Sequence, residues 1–299
     1  SKKNDKMAVA KKESFMSYQT RIWITGANGR LGRALCEAYE NNTDYKLLKS
    51  DKEVPVEDLK AVLTFANLNR PNVIINCAGL TDDQACEENP DDAYRVNALG
   101  ARNVAIAARR LDVKLIQMST DDVFGGHNNV AKNEFDVPKP TTIYGKSKLA
   151  GEALAQSLTD KHIIVRSSWN YGIGTHDFVD YILAMAEKGQ DIELPFDSYS
   201  TPTSALALAD FVETLIESDE YGLFHASCLG GCSRADWARE ILRYTGHAEI
   251  AVRTGNVDSI KPRYTLLDNM MMRITGIYTM PEWKAELHAY LKEKKYEEK

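Results

Sequence analysis

The chain has 299 residues, of which 43% are hydrophobic and 27% charged, with a formal net charge of −6. That length can bury one large core, or a core with a smaller lobe, and the acidic balance offers no general attraction to nucleic acid or to an anionic membrane. No apolar run nears the roughly 18 residues of a membrane span. The five cysteines, Cys36, Cys77, Cys86, Cys228 and Cys232, read as reduced thiols of a cytoplasmic protein rather than as a zinc site.

Residues 1–20 carry five lysines and no long apolar core, so they read as a flexible arm and not as a secretory signal. Arg21–Thr25 is a short apolar run. It leads directly into Gly26-Ala27-Asn28-Gly29-Arg30-Leu31-Gly32 and then into a helical pattern through Leu35, Cys36, Ala38 and Tyr39. Glycines spaced G-x-x-G-x-x-G between a strand and a helix suit a phosphate cradle. They allow a tight turn, a close backbone approach to a pyrophosphate, and free N–H groups at the helix start. An ordinary strand-to-helix turn is the competing reading.

Tyr45–Lys49 reads as a second strand. Asp51, nineteen residues past Gly32, stands where an acid would grip the adenosine ribose hydroxyls. A surface aspartate is the plain alternative, and Arg30, Lys49 and Lys52 would suit a 2′-phosphate, so NADP and NAD both stay open. Val56–Leu68 reads as a helix. Asn72–Asn76 reads as a buried strand opening into Cys77-Ala78-Gly79, small residues against which a flat cofactor can lie. Pro90–Arg110 is one long helical pattern with Asn97 inside it, and Asp112–Met118 is the next strand. This alternation predicts an α/β fold with a doubly wound parallel sheet of Rossmann type. Ligands of such sheets sit outside the carboxyl ends of the strands, where Gly26, Ala78 and Thr120 all fall.

The chemistry centres on Ser119-Thr120-Asp121, at a strand end, and Tyr144-Gly145-Lys146-Ser147-Lys148, at a helix start. Tyr144 and Lys148 lie four apart, on one helical face. A phenol with its ordinary pKa of about 10 is a poor acid or base near neutrality, and a neighbouring ammonium favours the phenolate. The same ammonium can bind a nicotinamide ribose, and Thr120 can hold the reacting oxygen against Tyr144. A Tyr-x-x-x-Lys pair alone is most often ordinary helix surface. The glycine loop, the Ala78-Gly79 strand end and Ser119-Thr120 are what set this one apart.

His162–Arg166 reads as another core strand, after which the alternation weakens. Asp177–Glu187, Ala205–Ser218, Ser233–Tyr244 and Glu282–Lys292 read as helices and Phe224–Ser227 as a short strand. Ser233 is an expected N-cap, with Asp236 in the position to reach back. Arg166 could meet a pyrophosphate, although an ion pair is the plainer reading. His176 and His225 stand alone, without a partner at ligand spacing.

Together these marks resemble the extended short-chain dehydrogenase/reductases and, within them, the dTDP-4-dehydrorhamnose reductase family, over roughly residues 20–292. The resemblance is carried by Ser119–Asp121 with Val123-Phe124, by Ile143–Glu152, Val165–Trp169, Thr201–Thr203 and Phe224–Ser227, and by Lys261–Asn269 and Pro281–Trp283. It implies hydride transfer from NADPH or NADH to the C4 carbonyl of a dTDP-4-keto-6-deoxy sugar, with Thr120, Tyr144 and Lys148 catalytic and Asn97 supporting the lysine through water. It also implies cofactor contacts at Gly29, Arg30 and Leu31 and at Gly79, Leu80 and Thr81. Substrate contacts follow at Asp121 and Trp169, with Arg263 shaping the nucleotide-sugar pocket. A dinucleotide-binding domain is expected over residues 21–166, rejoined by 201–222, and a smaller C-terminal substrate lobe over 167–200 and 223–299.

The chain departs from its relatives at Asp122, where they usually have Tyr, and a solvent-facing side chain is expected there. Ala34 stands where some relatives carry a glutamate that binds magnesium at a dimer interface, so no metal site is expected and a homodimer is left open. The expected partner is the nucleotide-sugar, and neither nucleic acid nor membrane. An epimerase or dehydratase of the same superfamily, or a non-catalytic NAD(P)-binding regulatory subunit, are the competing functions.

Overall fold

Strand β1 (Thr20–Thr25) is buried on both faces, with Ile22 and Ile24 entering one core and Trp23 the other. That is the pattern of a parallel sheet covered by helices on two sides. The computed structural model describes residues 18–172, 176–255, 259–296 and 298. Residues 1–17 of the expected N-terminal arm therefore lie outside the described residues.

Helix α1 (Arg30–Tyr39) follows the glycine turn, and β2 (Tyr45–Lys49) lies parallel to β1. Helix α2 begins at Leu59 rather than Val56 and runs to Asn69, because Asp58 caps it by accepting the Ala61 N–H. Strands β3 (Val73–Asn76) and β4 (Lys114–Thr120) are wholly buried apolar runs with polar ends. The expected helix from Pro90 to Arg110 is three segments: α4 (Pro90–Tyr94), a π-helical turn at Arg95–Leu99, and α5 (Gly100–Leu111). A short helix that the apolar pattern did not indicate, α3 (Asp83–Glu88), precedes them. Helix α6 (Ile143–Leu158) and strand β5 (His162–Ser167) complete the alternation.

The strands form one six-stranded parallel sheet in the order β2-β1-β3-β4-β5-β6, with β6 at Gly222–His225. Phe224 and His225 thus lie in the edge strand of the large sheet, not in the smaller lobe where the resemblance had placed them. The chain reverses its direction of travel between β1 and β3, which opens a crevice at their carboxyl ends. Ile22, Ile24, Ile74, Ile75, Leu115, Ile116, Ile163 and Ile164 are completely buried in these strands. Each contributes roughly 1.5–3 kcal/mol relative to exposure.

A buried polar ladder crosses the carboxyl end of the sheet. Thr25 Oγ1 donates to Asn76 Oδ1 (2.7 Å), and Asn76 Nδ2 donates to Gln117 Oε1 (2.8 Å). Thr25 Oγ1 also accepts the N–H groups of Cys77 and Ala78. Because every group is satisfied, the ladder fixes the ends of β1, β3 and β4 relative to one another.

Helices α7 (Phe178–Glu187), α8 (Ala205–Glu217), α9 (Arg234–Tyr244) and α10 (Trp283–Glu293) build the rest with short two- and three-residue ladders. Helix α8 returns to the sheet and meets α1, where the Tyr39 hydroxyl donates to the Ala209 carbonyl (2.6 Å). Ser233 caps α9 by accepting the Asp236 N–H (2.9 Å), while the Asp236 carboxylate turns instead to Arg239. Trp237 is completely buried, against Trp169, Tyr171 and Phe178. Among the described residues no helix is long and apolar enough to cross a membrane.

Candidate active site

The glycine turn is shaped by close backbone approach. Gly26 has φ +58°, and a Cβ there would lie 2.7 Å from the Ala78 nitrogen. At Gly32 a Cβ would lie 2.2 Å from the Gly26 carbonyl oxygen, so the start of α1 can press against the turn only without a side chain. The N-cap, Gly29, offers no side-chain cap, which leaves the first N–H groups of α1 unclaimed by any side chain. They open into a cleft of about 300 Å³ lined there by Gly29, Arg30, Leu31, Cys77, Gly79 and Thr81. An open helix N-terminus at the switch point of a parallel sheet fits the diphosphate of a dinucleotide. Asp51 lies just past β2, next to the carboxyl end of β1, with its N–H donated to the Glu53 carboxylate (2.9 Å), and is not among the residues that line the cleft. Ala78 backs the glycine turn, and Leu80 is exposed, between the lining residues Gly79 and Thr81.

The π-turn has a specific effect on Asn97. Its Oδ1 accepts the Leu80 N–H (2.8 Å), while its Nδ2 donates to the Leu80 carbonyl (3.0 Å) and to Ser147 Oγ (3.0 Å). Asn97 therefore staples the loop after β3 to helix α6. A Cβ on Gly79 would lie 3.2 Å from Asn97 Oδ1 and 3.8 Å from Lys148 Nζ, so these three groups share one corner. Two glycines let α6 come close: a Cβ at Gly151 would lie 2.3 Å from the Asn97 carbonyl, and one at Gly145 would lie 2.1 Å from the Asp122 carbonyl. Thr142 caps the helix by accepting the Gly145 N–H (3.0 Å).

Thr120, the last residue of β4, Tyr144 and Lys148 all line the cleft beside Ser119 and Met118. Lys148 Nζ donates to the Met118 carbonyl (2.8 Å). Burial lowers its pKa to about 8, against the opposing pull of Glu152 and Cys77. The Tyr144 phenol moves the other way from the phenolate-favouring expectation. Burial first, and then the Asp122 carboxylate, push it up, while the Thr120 hydroxyl works against the rise. The phenol therefore stays protonated near neutrality, as a proton donor must.

Asp122 is 6% exposed and not solvent-facing. Its carboxylate lies 3.7 Å from Lys261 Nζ, which sits 2.6 Å from Asp83. Asp121 is buried, accepts hydrogen bonds from Ser200 and Thr265, and is pushed up by burial and by Asp122. Trp169, with φ +39°, lines the same cleft, stacked on Trp237. Arg234, at the first turn of α9, lies over Trp169 and lines the cleft with Lys261.

Arg263, expected to shape the pocket, is exposed: its Nε donates to the Asp197 carbonyl (3.0 Å) and its guanidinium lies over Tyr264. Two further cations that line the cleft beside Arg30 and Lys148, Arg234 and Lys261, come from segments far from Tyr144 in the chain. A basic residue beside a helix N-cap and the lysine of Lys261-Pro262 were the only local signals for them. Arg166 is in an ion pair, with Glu152 at 2.7 Å, and Glu152 also accepts from Ser119 Oγ (2.6 Å). His225 is buried and held neutral, its pKa lowered to about 3 by burial and by Arg166, and its Nδ1 meets the Lys132 carbonyl. Exposed His176 takes a left-handed backbone. Among the described residues no group of three His, Cys, Asp or Glu side chains could hold a metal ion.

An open helix N-terminus at the switch point, facing a Thr-Tyr-Lys trio, defines a Rossmann-type oxidoreductase of the extended short-chain dehydrogenase/reductase class. The chain belongs to the family described as the RmlD substrate binding domain, whose model matches residues 20–296. It is 32% identical over 279 residues to the spore coat polysaccharide biosynthesis protein SpsK of Bacillus subtilis, covering 92% of this chain and 98% of that one. Among solved structures, a dTDP-4-dehydrorhamnose reductase from Clostridium acetobutylicum superposes with a TM-score of 0.86 at 35% identity, covering 92% of this chain and 99% of that one. The Bacillus anthracis dTDP-4-dehydrorhamnose reductase in complex with NADP gives 0.87 at 34% identity, with the same coverage of 92% and 99%.

Proposed function

We propose that this chain reduces the C4 keto group of a dTDP-4-keto-6-deoxy sugar, with NADPH or NADH as the hydride source. The observation that carries the reading is the convergence of Thr120, Tyr144 and Lys148 on one cleft wall beside an open helix N-terminus. Gly26, Gly29, Arg30, Leu31 and Gly32 hold the dinucleotide diphosphate, Asp51 serves the adenosine ribose, and Ala78, Gly79, Leu80 and Thr81 form the loop against which the nicotinamide half lies. When bound there, the reduced nicotinamide supplies the hydride that the keto carbon receives.

The chain's own residues do the rest. Thr120 Oγ1 donates to the keto oxygen and aligns it with Tyr144. The Tyr144 phenol, kept protonated by burial and by Asp122, delivers its proton to that oxygen as the carbon becomes tetrahedral, so a carbonyl becomes an alcohol. Lys148 is charged below about pH 8 and turns from the Met118 carbonyl to the nicotinamide ribose, while its charge offsets the phenolate left on Tyr144. Asn97 is a positioning residue, since it reaches Lys148 only through the loop and Ser147. Asp121 and Trp169 bound the sugar. Residues 21–166 with 201–225 form the dinucleotide half, and residues 167–200 with the segment from 226 onward close over it, excluding water during transfer. The reaction belongs in the cytoplasm, in keeping with five free thiols.

The test is turnover by the purified chain of dTDP-4-keto-6-deoxy-L-mannose with NADPH or NADH, followed by loss of reduced-cofactor absorbance. Tyr144→Phe should bind NADPH normally and lose nearly all turnover. A variant at full rate would show that another group gives the proton, and retained cofactor without turnover in the parent would favour the regulatory reading.

A further inference from the structure

Arg234 has an unusual setting for a guanidinium. Its Cζ lies 4.2 Å from the Trp169 ring centroid, 4.9 Å from that of Phe178 and 5.3 Å from that of Trp237. This aromatic shelf fixes the plane of the fork without using any of its N–H donors. Among the described residues its side chain makes no hydrogen bond and no ion pair, although it is partly buried in the cleft wall. Both lysines of the cleft are engaged, Lys148 with the Met118 carbonyl and Lys261 with Asp83 and Asp122, and Arg30 lies at the glycine turn. Desolvation lowers the Arg234 pKa to about 10, while the charges of Asp121 and Asp122 pull the other way from beyond ion-pair distance. A planar fork of free donors, partly desolvated and pre-oriented, is suited to an anionic group with several oxygens.

We propose that Arg234 binds the diphosphate of the nucleotide-sugar substrate, on the opposite side of the cleft from the α1 N-terminus that serves the dinucleotide. The inference rests on the reduction reading above for the identity of the substrate. It follows from where the two ends of that substrate must lie. The keto carbon sits at Thr120 and Tyr144, and the only anionic group of a dTDP-sugar is separated from it by the width of the hexose ring. Arg234 lines the same cleft as Thr120 and Tyr144, together with the acid turn that follows β4.

The experiment compares the parent chain with Arg234→Lys and Arg234→Met, all saturated with NADPH. Calorimetric titration with dTDP reads the diphosphate contact without the sugar, and steady-state kinetics reads the keto sugar. NADPH affinity serves as the measure of intact folding. Arg234→Met should weaken dTDP binding and raise the keto-sugar KM by about 10- to 100-fold, with kcat changed far less, as for loss of a charge-assisted contact. Arg234→Lys should fall between, because an ammonium keeps the charge and loses the fork. Unchanged dTDP affinity in Arg234→Met would overturn the proposal, even if the KM rose through a sugar contact. If the parent binds dTDP through Arg234 but does not reduce the keto sugar, the reduction reading fails and the diphosphate assignment stands.

Discussion

Gly145→Ala is the sharpest structural test of how the trio is assembled. Helix propensity alone favours the change by up to about 1 kcal/mol. The geometry opposes it, since the new Cβ would lie 2.1 Å from the Asp122 carbonyl oxygen and 3.1 Å from Pro140 Cβ. Both neighbours are backbone or ring atoms that cannot swing away. Reaching ordinary contact at roughly 3.2–3.5 Å requires α6 to back off from the β4 turn by about 1 Å. Overpacking of this kind costs about 1–3 kcal/mol, or a fall in Tm of roughly 3–10 °C. Tyr144 moves with α6 and Thr120 with β4, so the gap opens where the proton is transferred. A misplacement of that size costs about 100-fold in kcat. Steady-state kinetics with thermal melting and NADPH titration would read all three quantities. NADPH affinity should fall far less than kcat, because Gly26–Gly32 is untouched and only the Lys148 contact moves with α6, and Lys146→Ala on the exposed side of the same helix should behave as the parent. A Gly145→Ala chain as stable as the parent, with full kcat, would refute the claim that this close approach sets the site.

Other outcomes follow from the buried charges. Glu152→Leu leaves the Arg166 guanidinium buried without its bidentate partner, so stability should fall by about 3–5 kcal/mol. Replacing Arg166 by Met as well should recover most of that in denaturant melts, and no recovery would contradict the pairing. For Lys148, the folded pKa of about 8 lies below the ordinary lysine value of 10.5, so the folded chain gives up this proton first. Its stability should therefore rise with pH between about 8 and 10.5, a slope that Lys148→Met should remove. Turnover should move the opposite way, with kcat/KM falling above about pH 8 as the ammonium is lost. A flat alkaline profile would mean that Lys148 does not act as a cation.

The inner strands of the sheet were legible because parallel strands buried on two faces must be short apolar runs, as Arg21–Thr25 and Asn72–Asn76 are. The cradle and the trio were legible because their chemistry depends on local spacing, glycines before a helix and a Tyr-Lys pair one turn apart. What escaped depends on contacts between distant segments. Helix α3 has a single buried apolar side chain, Cys86, so no periodicity announces it. The π-turn at Arg95–Leu99 keeps a helical pattern, and only the Asn97 bonds to Leu80 and Ser147 show its purpose. Asp122 looked like a solvent-facing acid at a strand end, yet Lys261, which covers it, is 139 positions away in the chain. Arg263 was the basic residue in a family-like segment, but its neighbour by two, Lys261, is the one whose side chain reaches the acids. Arg234 lay in plain view beside a helix cap, and nothing local tells that its helix delivers it to Trp169.

The central claim is that a hydride arrives at C4 of the sugar while Tyr144 protonates the oxygen. It is tested most directly by incubating the chain with dTDP-4-keto-6-deoxy-L-mannose and NADPH deuterated at the transferable position, then locating the label in the product by NMR. The account predicts one deuterium on C4, beside a new hydroxyl, in the parent chain, and almost none with Tyr144→Phe. Unreacted keto sugar with cofactor still bound, or label at any other carbon, would contradict it.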